Sequence, residues 1–505
     1  MKLKLNILLF VLAGSQTIWG QNKHKALEDY FSALVETQQF NGNILVVENG
    51  KPVFENSYGY SDFATKSLNT SNTLFPLASL TKTITATAIL QLVQSRKLQI
   101  TDPVVNHLPG FPYPTITIQH LLSHTSGLPP YNAYFDSTRR LQPNRVFTNA
   151  DFLNGLGANK KPLLYQPGEK GNYDNINFIV LALVLEKVSG MKYGDYLDKY
   201  IVRPAGMDHT RLLRMNQYAW FKNNQFSFPY LRPHLYADSL VKANSVPYIA
   251  DYWSAYNFTG FSDYISSTHD LLKYDEAYYN GRLLNEQLLK EVFTPVKLNN
   301  GNNNPGNFGL GWEIEQDSSF GKIVYHSGVA TGLSCVMLRN ISKHQTIIVF
   351  DNRHYNAHEI ALNALKVLNG MNIPSPRKSI TDIYARVLLK QGATAARDTL
   401  NILKKDTLHC LLSEDEMNSL GYDFLGGSNN PNPYHFPEEH KYAEAIETFR
   451  LNMELFPGSW NVYDSYGEAL LTVGRKEEAI KMYSRSIELN PKNEAGKKVL
   501  EQLLK

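Results

Sequence analysis

The sequence predicts an α+β fold: an antiparallel sheet flanked by helices, with a helical region inserted between its strands, followed by an all-α helical-repeat module. Three observations predict it. β-rich runs occur near the start, in GNILVVENGKPVFENSYG, and return only after residue 307, in FGLGWEIEQ, GKIVYHSG, GLSCVMLRN and QTIIVFDN. Between them, from about residue 79 to 295, apolar residues recur at helical spacing with frequent Gly and Pro punctuation. Beyond about residue 370, two segments repeat one another at a period of 34 residues. Two β-rich blocks at the ends of one domain are most simply joined in a single sheet, and a cleft between that sheet and the inserted helices is where a site is expected.

Taken in order, residues 1–20, MKLKLNILLFVLAGSQTIWG, pair Lys2 and Lys4 with a short apolar run and a small-residue end, the pattern of a secretory signal peptide cleaved after Gly20. The run falls short of the roughly 20 residues a bilayer requires. A periplasmic or secreted protein is therefore expected, with no stable membrane insertion after cleavage. HKALEDYFSALVETQQF reads as an amphipathic helix, and Asn49-Gly50 between two β-rich runs reads as a hairpin turn. These open a domain spanning 21–370. NIPSPRKS marks a linker at 371–380, and 381–505 form the helical module.

In that module Ala445, Phe449 and Pro457 are matched 34 residues later by Ala479, Tyr483 and Pro491. Small, aromatic and Pro positions at this period are the signature of a tetratricopeptide helix pair. Trp460 to Gly474 supplies the preceding helix, with Tyr466, Gly467 and Leu470 at packing positions. SEDEMNSLGYDFL resembles the first helix of the earlier pair, and GGSNNPNPYHFP reads as an insertion in its inter-helix turn. Such a module serves either to pack against the first domain or to hold a partner protein.

The 505 residues are 43% hydrophobic and 19% charged, with a net charge of +3, too mild a bias to suggest nucleic acid. Cys335 and Cys410 are the two cysteines, too few for a disulfide framework; Cys335, in GLSCVML, reads as core packing. No HExxH occurs and two distant cysteines cannot build a zinc site, so no metal is expected, and the serine chemistry read below needs no cofactor.

Chemistry is suggested by FPLASLTKTITATAIL, where Ser79 precedes Lys82 by three residues at the start of a helix. One turn apart, the amine can reach the hydroxyl, as in an activated nucleophile. The same spacing recurs at Ser189, Ser239, Ser319 and Ser375, so context must choose. Three segments supply it: Tyr173 and Asn175 form YxN before a strongly apolar helix, His326, Ser327 and Gly328 end a β-run, and His124, Ser126 and Gly127 lie in LLSHTSGLP. Tyr278-Tyr279-Asn280 repeats YxN without these surroundings.

With S79-L-T-K82, Y173-D-N175 and H326-S-G328 in this order, the chain resembles the serine β-lactamase and penicillin-binding protein superfamily, in its class C β-lactamase and DD-peptidase-like branch. The likeness runs from about residue 25 to 370, through RKLQITDPVVNHLP, EKVSGMKYGDYL, RPAGMDHT and FGLGW. The resemblance implies an exported serine hydrolase that forms an acyl-enzyme on Ser79 and acts on a small-molecule or peptide substrate: a β-lactam, a D-amino-acid peptide or a small ester. It implies Lys82 as base and Tyr173 as proton relay, each with a lowered pKa, and Asn175 as a grip on a substrate amide. It places oxyanion donors at the amides of Ser79 and Val329. His326 and Ser327 would bind a substrate carboxylate or the Tyr173 hydroxyl, and Gly328 would leave room for backbone to approach substrate. His326 stands where most β-lactamases carry Lys, and a counterpart of the class A deacylating carboxylate is not evident. His124 and Trp312 are expected to be structural. The alternative is a catalytically silent protein that binds cell-wall peptides and recruits a partner through its repeats.

Overall fold

The computed structural model describes residues 22–213, 217, 226–353, 356–426 and 440–505. The signal peptide, and GGSNNPNPYHFP apart from Gly426, lie outside the described residues. The chain divides into two units. The first comprises the described residues up to Val35, with Gln39–Leu231 and Lys242–Ile373; the second comprises Glu36–Gln38, Arg232–Val241 and Pro374–Lys505.

The first unit is organised on a six-stranded antiparallel sheet. Its strands are β1 (Gly42–Glu48), β2 (Lys51–Ser57), β3 (Glu313–Asp317), β4 (Gly321–Ala330), β5 (Leu333–Asn340) and β6 (Gln345–Asp351), in the spatial order β3-β4-β5-β6-β1-β2. Both ends of the domain thus contribute, joined where β1 pairs with β6 from Gly42 opposite Asp351 to Glu48 opposite Gln345. The β1–β2 turn places Asn49 at φ +52° and Gly50 at φ +72°, the left-handed pair that matches strand twist in a tight hairpin.

Side chains alternate between the sheet's faces. Ile44, Val46, Val336, Leu338, Ile347 and Val349 share a core with Leu27, Phe31 and Leu34 of helix α1 (residues 22–36). Leu45, Val47, Cys335, Met337, Ile348 and Phe350 face the second core, which contains α2 (Thr81–Gln94) and α3 (Ile176–Ser189). Both helices are buried on nearly every side. The threonines of α2 meet this with internal partners: Thr85 Oγ1 lies 2.7 Å from the Tyr193 hydroxyl and donates to Gly260 O at 2.7 Å.

The second unit is helical: α4 (Ile380–Gln391), α5 (Ala393–Leu403), α6 (Glu414–Phe424), α7 (Tyr442–Leu455), α8 (Trp460–Thr472), α9 (Lys476–Leu489) and α10 (Glu494–Leu503). The small and aromatic positions that repeat at 34 residues lie in its core: Ala445, Phe449, Ala479 and Tyr483 are buried, with Tyr466 and Leu470 between them, while Pro457 and Pro491 are exposed. The segment Arg232–Val241 belongs to this unit although it lies far earlier in the sequence. Tyr236 stacks between His234 and Phe424, each 4.8 Å from its ring centre. Asp423 accepts from His234 Nδ1 at 3.1 Å and from the Leu235 amide at 2.6 Å; Arg232 donates to Asp382 at 3.0 Å, and Lys390 to Asp238 at 2.9 Å.

Candidate active site

Ser79 lies in a 3₁₀ turn, Ala78–Leu80, that leads into α2 at Thr81. The expected helix thus begins two residues later than the hydroxyl, because Ala78 turns the chain at φ +42°, a strained conformation for a residue with a Cβ. Leu77 anchors the turn: its amide donates to Tyr264 O at 2.9 Å, and its carbonyl accepts from Leu80 N at 3.0 Å and Cys335 Sγ at 3.2 Å. Cys335 is packing of a specific kind, a buried thiol beneath the nucleophile turn.

Lys82, in the first turn of α2, is fully buried. Its Nζ lies 2.8 Å from Ser79 Oγ, 2.8 Å from Asn175 Oδ1 and 3.3 Å from Phe261 O. Burial pulls the amine's pKa well below the ordinary lysine range, while the carboxylates of Asp174 and Asp263 pull it up. Asn175 Oδ1 and Phe261 O can only accept, so once the amine is neutral they can take its two N–H groups and leave its lone pair for the Ser79 hydroxyl proton.

Tyr173 keeps 40% of its surface exposed, with its ring centre 4.3 Å from that of His124 and 5.9 Å from that of Phe308. Burial raises its pKa, and a hydrogen bond with Ser79 only partly offsets this. The expected lowering is therefore corrected: the phenol holds its proton and is a donor. Asn175, at the start of α3, spends its carbonyl on Lys82 and keeps its NH₂ to donate.

His326, on β4, is buried 6.2 Å from the Tyr173 ring. Its Nδ1–H donates to Ser327 O at 2.7 Å, and its Nε2, with no hydrogen-bond partner among the described residues, is left as an acceptor. Burial and the nearby Lys82 push its pKa down to about 3, so the imidazole is neutral and offers no cation to a carboxylate. Ser327 is half-buried beside it, and Val329 is 55% exposed two residues on. Gly328 is buried, and a Cβ there would stand 2.0 Å from Leu77 O and 2.6 Å from Cys335 Sγ, so the missing side chain admits the nucleophile turn.

Sequence reasoning missed the Phe261 carbonyl, the charges of Asp174 and Asp263, and the closeness of His124 to the site. Only Asp174, inside YDN, carried a local signal. His124 has φ +58°, as a turn residue, but its buried ring also lies 4.3 Å from that of Tyr173. Asp174 N and Asn177 Nδ2 both donate to its Nδ1, at 3.3 and 3.1 Å, which fixes the proton of the neutral ring on Nε2. Trp312 is buried against Tyr278 and Phe293.

A serine bonded to a buried lysine, between a sheet and an inserted helical region, defines the class: the serine hydrolases of the β-lactamase and penicillin-binding protein superfamily. The Beta-lactamase family matches residues 27–369, and the chain belongs to it. Penicillin-binding protein 4* of Bacillus subtilis (strain 168) is 34% identical over 401 residues, covering 75% of this chain and 86% of that relative. Two solved structures share the fold. The penicillin binding protein from Bacillus halodurans gives a TM-score of 0.54 at 24% identity, covering 66% of this chain and 98% of its own. EstCE1, described as a hydrolase with promiscuous acyltransferase activity, gives 0.56 at 20% identity, covering 70% and 100%.

Proposed function

We propose that the protein is an exported hydrolase that acylates Ser79 and then hydrolyses the acyl-enzyme, acting on an amide or ester such as a D-amino-acid peptide, a small ester or a β-lactam. The observation that carries this is the buried Lys82 amine, 2.8 Å from Ser79 Oγ and held by the acceptors Asn175 Oδ1 and Phe261 O. In acylation Lys82 takes the Ser79 proton as Oγ bonds to the substrate carbonyl carbon. The amides of Ser79 and Val329 hold the oxyanion. The carbonyl–leaving-group bond then breaks as Tyr173 gives its proton to the departing amine or alkoxide, and the Lys82 ammonium restores it. Water reverses the sequence, with Lys82 again as base. A low-pKa amine beside a high-pKa phenol divides the base and acid roles.

His326 bears on the substrate. An uncharged imidazole presenting an acceptor suits a donor such as an amide N–H, and disfavours a free carboxylate at that wall. The names of the similar proteins, penicillin-binding and a hydrolase with promiscuous acyltransferase activity, support acyl transfer through an enzyme-bound intermediate. The helical unit is read as tetratricopeptide-like from its 34-residue period.

A fluorescent fluorophosphonate or penicillin probe, with mass mapping of the adduct, tests the assignment. Labelling at Ser79, abolished in Ser79→Ala with the fold intact, is expected; labelling unchanged by that substitution refutes it. Nitrocefin, D-Ala-D-Ala peptides with free and amidated ends, and nitrophenyl esters, assayed side by side, resolve the substrate. The carboxylate-free members are expected to turn over faster.

A further inference from the structure

We infer that His124 is the positioning residue of the Tyr173 phenol, and that the loop carrying Tyr173 is laid upon it. Tyr173 and Asp174 lie in an irregular stretch just ahead of α3, where no helix or strand ladder fixes the backbone. The amides on either side of Tyr173 go instead to one residue. Asn172 N donates to His124 O at 2.9 Å, and Asp174 N donates to His124 Nδ1 at 3.3 Å. Between these two bonds the imidazole stands against the phenol, 4.3 Å from ring centre to ring centre. Backbone amides taken out of water need partners, so a loop whose flanking amides share one partner follows that partner.

His124 is itself held in place. It is buried and turns the chain at φ +58°, a conformation that costs free energy in a residue with a Cβ and persists where the surroundings fix it. Asn177, the second residue of α3, ties it to that helix. Its Nδ2 donates to His124 Nδ1 at 3.1 Å and to Asp174 O at 3.2 Å; its Oδ1 accepts from Ser126 Oγ at 2.6 Å, and that hydroxyl accepts from Leu128 N at 3.2 Å. Asp174 O can only accept, which settles which way the Asn177 amide points. The role is placement, not proton transfer. Burial, with Lys82 and His326 nearby, holds the ring well below the ordinary imidazole range, and two donors share its one lone pair, so none is left for a reacting proton. Without this imidazole the phenol keeps its chemistry and loses its line to the leaving group.

This rests on the reading of Tyr173 as the acid that protonates the leaving group. Two esters of one acyl group are therefore compared: a nitrophenyl ester, whose phenolate departs without a proton, and a methyl ester, whose alkoxide needs one. In the whole chain, His124→Ala removes the acceptor and the ring, and Asn177→Ala loosens the imidazole from the helix side. His124→Asn returns an acceptor on a side chain that tolerates left-handed φ, and Tyr173→Phe is the reference. Both alanine variants are expected to lose about 10- to 100-fold in kcat/KM on the methyl ester and less than about threefold on the nitrophenyl ester, as a misplaced acid does. His124→Asn is expected to recover much of the loss. Hydrogen exchange over residues 172–175, read by mass spectrometry, is expected to be several-fold faster in His124→Ala and near wild type in His124→Asn. Where His124→Ala does not fold, Asn177→Ala is read in its place. A role in stability alone lowers both esters together. Equal losses on the two esters in variants that still unfold cooperatively, while Tyr173→Phe discriminates between them, overturn the inference, and so does unchanged exchange at 172–175. Should Tyr173→Phe itself fail to discriminate, the acid reading falls, and exchange alone decides whether His124 places the loop.

Discussion

Lys82 is the residue on which the chemistry turns, because burial pulls its amine well below the ordinary lysine range. Arginine cannot be deprotonated in a protein, so Lys82→Arg puts a permanent cation near Ser79 and removes the base. It should lower kcat/KM by about 10²–10⁴. The wild-type profile of kcat/KM against pH should reach its plateau far below the lysine range near 10.4. A rate still climbing at about pH 10 would contradict a depressed amine. Ser79, Lys82, Tyr173, Asn175 and His326 were legible because each lies in a local motif and the motifs fall in order. His124 was not legible in this role. Its contact with Tyr173 spans 49 residues of chain and is made by one loop packing on another, which local spacing does not record. Gly328 was legible as a residue but not as a reason, since the carbonyl it admits belongs to a turn 251 residues earlier.

At the scale of the element, β4 carries two adjacent residues with opposite tolerances. Gly328→Ala drives a methyl against Leu77 O and should cost about 1–3 kcal/mol of stability by overpacking. It should also lower kcat, because Leu77 sits two residues before the nucleophile. Val329→Ala trims a side chain that is 55% exposed and should stay within about 0.5 kcal/mol, since the oxyanion role proposed for Val329 uses only its backbone. Thermal unfolding of the two variants checks the contrast. Glu313, at the start of β3 opposite Tyr325, is pushed up by burial to about 7, with a hydrogen bond to Tyr325 pulling the other way. A folded-state pKa above the unfolded one gives stability that is fully present below about pH 4.5 and lost as pH rises through about 7. The melting temperatures of wild type and Glu313→Gln should therefore coincide in acid and separate as pH rises, the variant being higher. A constant offset would mean that folding leaves the pKa of Glu313 unchanged.

Across the whole molecule, each unit has its own core, so each is open to separate attack. Phe449→Ala opens the helical core at a fully buried ring and should cost about 3–5 kcal/mol. In calorimetry it should lower the transition of the helical unit more than that of the sheet-containing unit. The broad plan was readable: β-rich blocks at both ends of the first domain, a helical interval, and a 34-residue repeat. The exception was Arg232–Val241. LRPHLYADSLV shows no repeat period and no turn signature that would assign it to the helical unit. Its membership is set by tertiary partners such as Asp382 and Phe424, more than 100 residues downstream.

The order of the strands also dictates when the first unit can be completed during synthesis. Asn41 and Asp351, bonded at the junction of β1 and β6, are 310 residues apart. At translation rates of about 5–20 residues per second, β1 waits on the order of 15–60 s for its neighbour to leave the ribosome. Throughout that delay GNILVVE, uncharged until its last residue, exposes an unpaired edge to any other nascent chain nearby.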